Sequence, residues 1–140
     1  MTLLDSDHLT ILQLRGSDRA ERLRRRLAAA STDGPVGTTV VNIEESMKGW
    51  MSSIARERSP HRQIAAYREL AGLFEFFAAL TIAHFDPRAA DLFATYSRIR
   101  IGTQDRKIAA VAVTQSALLL TANRQDFEQI PGLRFENWLD

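Results

Sequence analysis

Short apolar runs alternate with stretches of helical periodicity from one end of the chain to the other, and no other feature restricts the fold as strongly. Residues 2–4 read as a strand and 7–15 as a helix, with Gly16 and Ser17 breaking the chain before a basic helix over 18–30. "STDGPVG" (31–37) reads as a turn-rich loop, and the β-branched "TTVVNI" (38–43) as a buried strand. Two helices follow, over 43–56 and 60–79. Ile43, Met47, Trp50, Met51 and Ile54 on the first, and Ile64, Tyr67, Ala71, Phe74 and Phe77 on the second, recur at helical spacing and read as core-facing stripes. "LTIAHF" (80–85) is the next strand. Asp86 and Pro87 then suit the N-cap and first position of a helix running to 99. A further helix opens near Gly102 and Thr103, "LLLTAN" (118–123) is a strand, and "IPGLRFENW" supplies a last extended piece. Parallel strands need helical crossovers, so the expected fold is α/β: a central parallel sheet covered on both faces, as one domain over residues 1–140.

Sheets of this kind bind ligands outside the carboxyl ends of their strands, and acids recur at those ends here. Asp5 and Asp7 follow the first strand, Glu44 and Glu45 the second, Asp105 opens a late helix, and Asp126 lies just past "LLLT". Taken singly, each acid suits a helix terminus. Asp7 reads as an N-cap, Asn42 with Glu45 as a capping box, and Asp105 as a first-turn acid behind a Thr103 cap. Together they mean more, because carboxylates brought to one sheet edge repel each other and favour a bound cation. The chain has no cysteine, and its three histidines (His8, His61, His84) have no metal-ligand spacing, reading instead as surface or packing residues. A cation held there would have oxygen ligands, which points to Mg²⁺ or Mn²⁺.

The same composition excludes disulfide scaffolds and cysteine nucleophiles. No stretch approaches the roughly 18 uninterrupted apolar residues of a membrane span, and residues 1–4 are too short for a signal-peptide core, so a cytoplasmic address without membrane association is expected. A net charge of +1 says little about partners, yet all the basic residues except Lys48 and Lys107 are arginines, the residue suited to planar contact with phosphate. Five lie in "RAERLRRR". Arg22, Arg25 and Arg26 of that helix, and Arg58 and Arg62 of "RERSPHR", are the candidate contacts for a polyanion.

Four segments, "LLDSDHLTILQ", "TTVVNIEESMKGW", "IGTQDRKIAAVAV" and "LLLTANRQDFEQIPGLRFENW", resemble in order and spacing the successive motifs of PIN-domain proteins. Among these the chain is most similar to the VapC-like toxin ribonucleases of bacterial toxin–antitoxin pairs. The resemblance implies a three-layer α/β/α domain whose acids hold Mg²⁺ or Mn²⁺ and cut RNA. Residue by residue, Asp5 matches the family's first metal-binding aspartate. With the family's helix glycine placed on Gly49, Glu45 matches the functional glutamate and Glu44 is the alternative. Asp105 matches the third acid. The fourth place, an aspartate in many relatives, holds Asn123, which offers a carbonyl oxygen but no charge, and Asp126 lies three residues on. One firmly held metal on Asp5 and Asp105, assisted by Glu45, and a second held weakly or with RNA present, follow from that pattern. Asp7 and Thr121 are candidate supporting residues. The resemblance also implies an RNA substrate, a cognate VapB-like antitoxin and a homodimer, for which Leu12, Leu14, Phe76 and Phe77 are candidate contacts if they are not core.

Two other readings compete. "DSDHLT" shares its acids with the D-x-D-x-T loop of aspartyl-nucleophile phosphatases, but its threonine comes one residue late and no later lysine with an acidic pair fits. The other is a catalytically impaired PIN fold that binds RNA or protein. Asn123 favours it, and the retention of Asp5, Glu45 and Asp105 opposes it.

Overall fold

The computed structural model describes residues 1–140, in the order β1 (Thr2–Leu4), α1 (Ser6–Leu12), α2 (Asp18–Ala30), β2 (Val36–Thr39), α3 (Val40–Arg56), α4 (Pro60–Ala78), β3 (Thr81–Ala83), α5 (Pro87–Ala94), α6 (Thr103–Thr114), β4 (Leu118–Leu120), α7 (Arg124–Phe127) and β5 (Arg134–Glu136). The five strands form one sheet in the order β3-β2-β1-β4-β5, and every pairing is parallel. Successive side chains of a strand face opposite ways, so each central strand feeds two cores. Leu3 and Leu119 pack with Ile108, Ala109, Val111 and Phe127 on one side. Leu4 and Leu120 pack with Leu9, Leu23, Leu73 and Phe77 on the other. All four strand leucines are fully buried, which stabilises the sheet centre by about 2 kcal/mol apiece. The expected three-layer α/β/α architecture is therefore present. No helix is long and apolar enough to cross a membrane.

The chain leaves β1 for β2 and β3 on one side, then returns to place β4 on β1's other side. That reversal opens a crevice outside the carboxyl ends of β1 and β4.

Several expected boundaries move. The strand read over 38–43 lies at Val36–Thr39, and the helix starts at Val40. Thr39 caps that helix by accepting from the Asn42 N–H at 3.1 Å, so the pattern expected of Asn42 with Glu45 is replaced by a cap three residues earlier. The β-branched Val40 and Val41 suggested a strand, but burying Val41 from the helix into the core overrides that local preference. Asp5, not Asp7, is the N-cap of α1, and α1 stops at Leu12 rather than 15. The helix begun by Asp86, whose side chain accepts from Ala89 N–H at 2.9 Å, ends at Ala94 instead of 99. The strand at 118 ends at Leu120, which releases Thr121–Asn123 into a turn. On α4 most of the stripe read as core-facing lies outside: Ile64, Tyr67 and Phe74 are 52%, 54% and 64% exposed and Ala71 is exposed, while Phe77 is buried as expected, beside Leu73. Of the candidate partner contacts, Phe77 belongs to the core, Leu12 and Phe76 are half-buried against it, and Leu14 is exposed.

Gly37 belongs to β2, not to a loop, because a Cβ there would stand 1.8 Å from the Thr81 carbonyl oxygen of β3. Gly37→Ala must push the edge strand away or break its pairing, and is expected to cost about 3 kcal/mol of unfolding free energy. Urea denaturation checks this. A midpoint unchanged from the parent would mean that β3 is not held against β2.

Candidate active site

Asp5 is the first residue beyond β1 and lies at the crevice, almost fully buried. Both its carboxylate oxygens are engaged. Oδ1 accepts from Ser6 N–H at 2.9 Å and from Asn42 Nδ2 at 2.8 Å, and Oδ2 accepts from the Thr121 hydroxyl at 2.8 Å. The three donors come from α1, α3 and the turn after β4, so the carboxylate is pinned by three separate parts of the chain. Burial raises its pKa, the bonds from Ser6, Thr121 and Asn42 oppose that rise, and the neighbouring Asp7 charge adds to it.

Asn42 is also completely buried and presents its Oδ1 to the Thr39 hydroxyl at 2.7 Å. Its amide nitrogen additionally reaches Ser6 Oγ at 3.1 Å. One turn along α3, Glu45 accepts from Ser6 Oγ at 3.4 Å. Its pKa is raised, first by burial and then by the charges of Asp5 and Asp105. Glu44 turns outward and accepts from Gln104 Nε2 at 2.7 Å. Of the two glutamates, Glu45 is thus the one in the field of the other acids.

Asp105 sits in the first turn of α6, half-buried, with its pKa pushed up to about 6 by burial and then by Asp5, Asp126 and Asp7. Asn123 joins it to Asp126: its Nδ2 lies 3.4 Å from Asp105 Oδ2 and 3.1 Å from Asp126 Oδ2. Asp7 bonds instead of capping. Its Oδ2 accepts from Ala122 N–H at 2.8 Å, and its Oδ1 faces His8 Nδ1 at 2.5 Å. Those bonds outweigh burial and lower the Asp7 pKa. Thr121 is turned toward Asp5 rather than toward a ligand.

Asp5, Glu45, Asp105 and Asp126 have no arginine or lysine within ion-pair distance. Burial and mutual repulsion raise the pKa of the first three, the state of a site that gains by taking up positive charge. The donors are all oxygen, which suits a hard divalent cation. No three acidic or histidine side chains already converge into a cage, however. Asp5 is fixed, while Glu45 and Asp105 are held by single long contacts and are the side chains free to close.

The arginines expected to meet a polyanion lie elsewhere. Arg22 and Arg25 are exposed on α2, and Arg26 lies over the Trp138 ring at 4.2 Å. Arg58 and Arg62 are at the far end of the α3–α4 hairpin, with roughly 16 Å of helix between Glu45 and Arg56. A groove does leave the acids in another direction. Ser6, Thr10, Glu45 and Trp50 help line a cavity of about 700 Å³. It shares Gln13, Glu69 and Leu73 with a neighbouring one of about 790 Å³, where Arg15, Arg24 and Arg68 stand. Sequence reasoning reached Arg24 as part of the basic helix but missed Arg15 and Arg68, and also Ser6, Asn42 and His8, whose contacts are long-range in sequence.

Comparison with known proteins agrees with this geometry. The family model described as PIN domain matches residues 3–133. The chain is 35% identical over 136 residues to "Ribonuclease VapC10" of Mycobacterium tuberculosis, covering 96% of this chain and 91% of that protein. It is 31% identical over 83 residues to "tRNA(fMet)-specific endonuclease VapC" of Salmonella typhimurium, covering 55% of this chain and 63% of that protein, so less than two thirds of the latter is spanned. Among solved structures, DNA-bound VapBC from Salmonella typhimurium superposes with a TM-score of 0.72 at 26% identity, covering 99% of both chains. A match running from β1 nearly to β5, on an all-parallel sheet, decides the question of kinship: the chain belongs to the PIN-domain family.

Proposed function

We propose that the protein is a metal-dependent endoribonuclease that hydrolyses RNA phosphodiester bonds, acting as the toxin of a bacterial toxin–antitoxin pair. The observation that carries this reading is the uncompensated group Asp5, Glu45 and Asp105 at the switch point of a PIN fold. Relatives named as VapC ribonucleases, and neighbours solved as VapBC complexes, support it.

Asp5, Asp105 and Glu45 would hold Mg²⁺ or Mn²⁺, with the Asn123 side-chain oxygen available as a further donor. When bound, the cation supplies positive charge to the phosphate oxygens and makes a water more acidic. Asn42 and Thr121 keep the Asp5 oxygens from rotating, so that the donor set is built around one fixed member. Asp126 adds negative charge beside Asn123, whose Nδ2 lies 3.1 Å from its Oδ2. RNA enters along the groove whose far end carries Arg15, Arg24 and Arg68. An antitoxin neutralises the site by laying a basic side chain among the acids, and a second copy of the chain forms the dimer. The impaired-module reading rests on Asn123 alone, and metal-dependent cleavage separates it from catalysis.

Purified, antitoxin-free protein is expected to cut total cellular RNA into discrete fragments in Mg²⁺ or Mn²⁺. Asp105→Asn should lower the rate at least about 100-fold, and EDTA should abolish it. Intact RNA in the presence of a folded protein would move the assignment to a binding module.

The raised Asp105 pKa also sets a pH dependence. Folding favours its protonated form, so in metal-free protein the stabilisation is complete below the unfolded value of 3.8 and is lost as pH rises through about 6. Thermal unfolding without metal should therefore show Asp105→Asn more stable than the parent at pH 7.5, with the gap closing by pH 4. Adding Mg²⁺ at pH 7.5 should raise the parent's Tm and leave the variant's unchanged.

A further inference from the structure

Beside the site described above lies a buried titratable side chain that none of its proposed roles uses. His8 is wholly inaccessible to solvent. Its Nε2 accepts from the backbone N–H of Trp138 at 3.1 Å, across 130 residues of sequence. A backbone amide only donates, so Nε2 carries a lone pair and the ring proton sits on Nδ1, directed at Asp7 Oδ1. Asp7 Oδ2 in turn accepts from Ala122 N–H. That amide lies between Thr121, which holds Asp5, and Asn123, which lies against Asp105 and Asp126.

The segment that supplies the Trp138 amide is itself anchored. Arg26 stacks on the Trp138 ring, Trp138 Nε1 donates to Glu136 Oε2 at 2.6 Å, Arg19 Nε donates to the Leu139 carbonyl at 3.0 Å, and Leu139 is buried in the core beside α2. We propose that His8 is a positioning residue for the acid cluster: the docked segment 137–139 selects its Nδ1–H tautomer, and that tautomer holds Asp7 and the 121–123 turn in place. The opposite tautomer would set an N–H against the Trp138 amide and leave Asp7 facing a lone pair. The proposal rests on the acids being the working site, and its tests separate the two.

Asparagine and glutamine divide the histidine's roles, since an asparagine amide reaches the Nδ1 position and a glutamine amide the Nε2 position. With Mn²⁺ alone as probe, titration calorimetry should show His8→Gln weakened about tenfold and His8→Asn close to the parent. Trp138→Ala, which loosens the segment without touching the site, should weaken Mn²⁺ binding several-fold in the parent and leave it unchanged when combined with His8→Asn. In metal-free protein, ¹⁵N–¹H correlation spectra of the ring should show Nδ1 protonated and Nε2 bare in the parent, and a tautomer mixture in Trp138→Ala. Hydrogen exchange at Ala122 N–H should quicken in the same variant. An Nε2-protonated ring in the parent, or a folded His8→Gln that binds Mn²⁺ as the parent does, overturns the proposal. If His8→Gln does not fold, the parent's tautomer and Trp138→Ala decide. If the parent binds no Mn²⁺, the nuclease reading falls while the tautomer and the Ala122 exchange still judge His8.

Discussion

A single carboxylate, that of Asp5, is held by a backbone amide of α1, a side-chain amide of α3 and a hydroxyl beyond β4, and the arrangement of the crevice depends on that convergence. A buried acid left without donors would protonate or force the chain open. With three donors it stays in one orientation, and the elements that supply the donors are tied to each other through it. The parallel order makes this possible, because β1 is flanked by β2 and β4, and the segments leaving all three emerge on the same edge. Ser6 and Asn42 then reach Asp5 from the starts of α1 and α3, and Thr121 from the turn.

Around that fixed group the other acids are less constrained, and the contrast is chemically useful. Glu45 and Asp105 carry raised pKa values because each is partly buried in the field of its neighbours. The site is thus under electrostatic repulsion that uptake of positive charge, by proton or cation, would relieve. Replacing one of these acids by its amide would remove part of that repulsion. Asn123 is already such a replacement. Its amide nitrogen stands between Asp105 and Asp126 and partly offsets their repulsion without the charge of a metal.

The sheet was legible in the sequence because β1 and β4 carry short leucine runs ended by polar residues, and alternation over the full length left few architectures. Asp5, Glu45 and Asp105 were legible as strand-end and helix-start acids. What escaped was anything whose signal is carried by a distant partner. Thr39 caps α3, but Val40 and Val41 mask the boundary with a strand-like pair. Gly37 looks like a loop residue until the approach of Thr81 is known. Asn42 looks like a cap until its amide is found on Asp5, 37 residues away. On α4 the periodicity of Ile64, Tyr67 and Phe74 is real, yet the helix meets the core through another face, with Leu73 and Phe77 buried and Leu70 and Phe76 partly so. Periodicity shows that a helix has an apolar face, not which neighbour covers it.

The arginines carry the last step. Read as a run, "RAERLRRR" invited a nucleic-acid surface, but several guanidiniums in the fold serve its own backbone and rings. Arg24 binds the carbonyls of Leu12 and Leu14 where α1 ends, Arg19 that of Leu139, Arg134 that of Ser116 and Arg106 that of Tyr96, while Arg26 covers Trp138. Each of the bonds to Leu12, Leu14 and Ser116 satisfies a carbonyl that a helix end or turn would otherwise leave open. It also keeps the positive charge away from the acids. A chain with nearly equal numbers of basic and acidic residues can thus leave a pocket of negative charge without an ion-pair partner: five of its arginines are engaged by backbone carbonyls or a ring, and no arginine or lysine lies within ion-pair distance of Asp5, Glu45, Asp105 or Asp126.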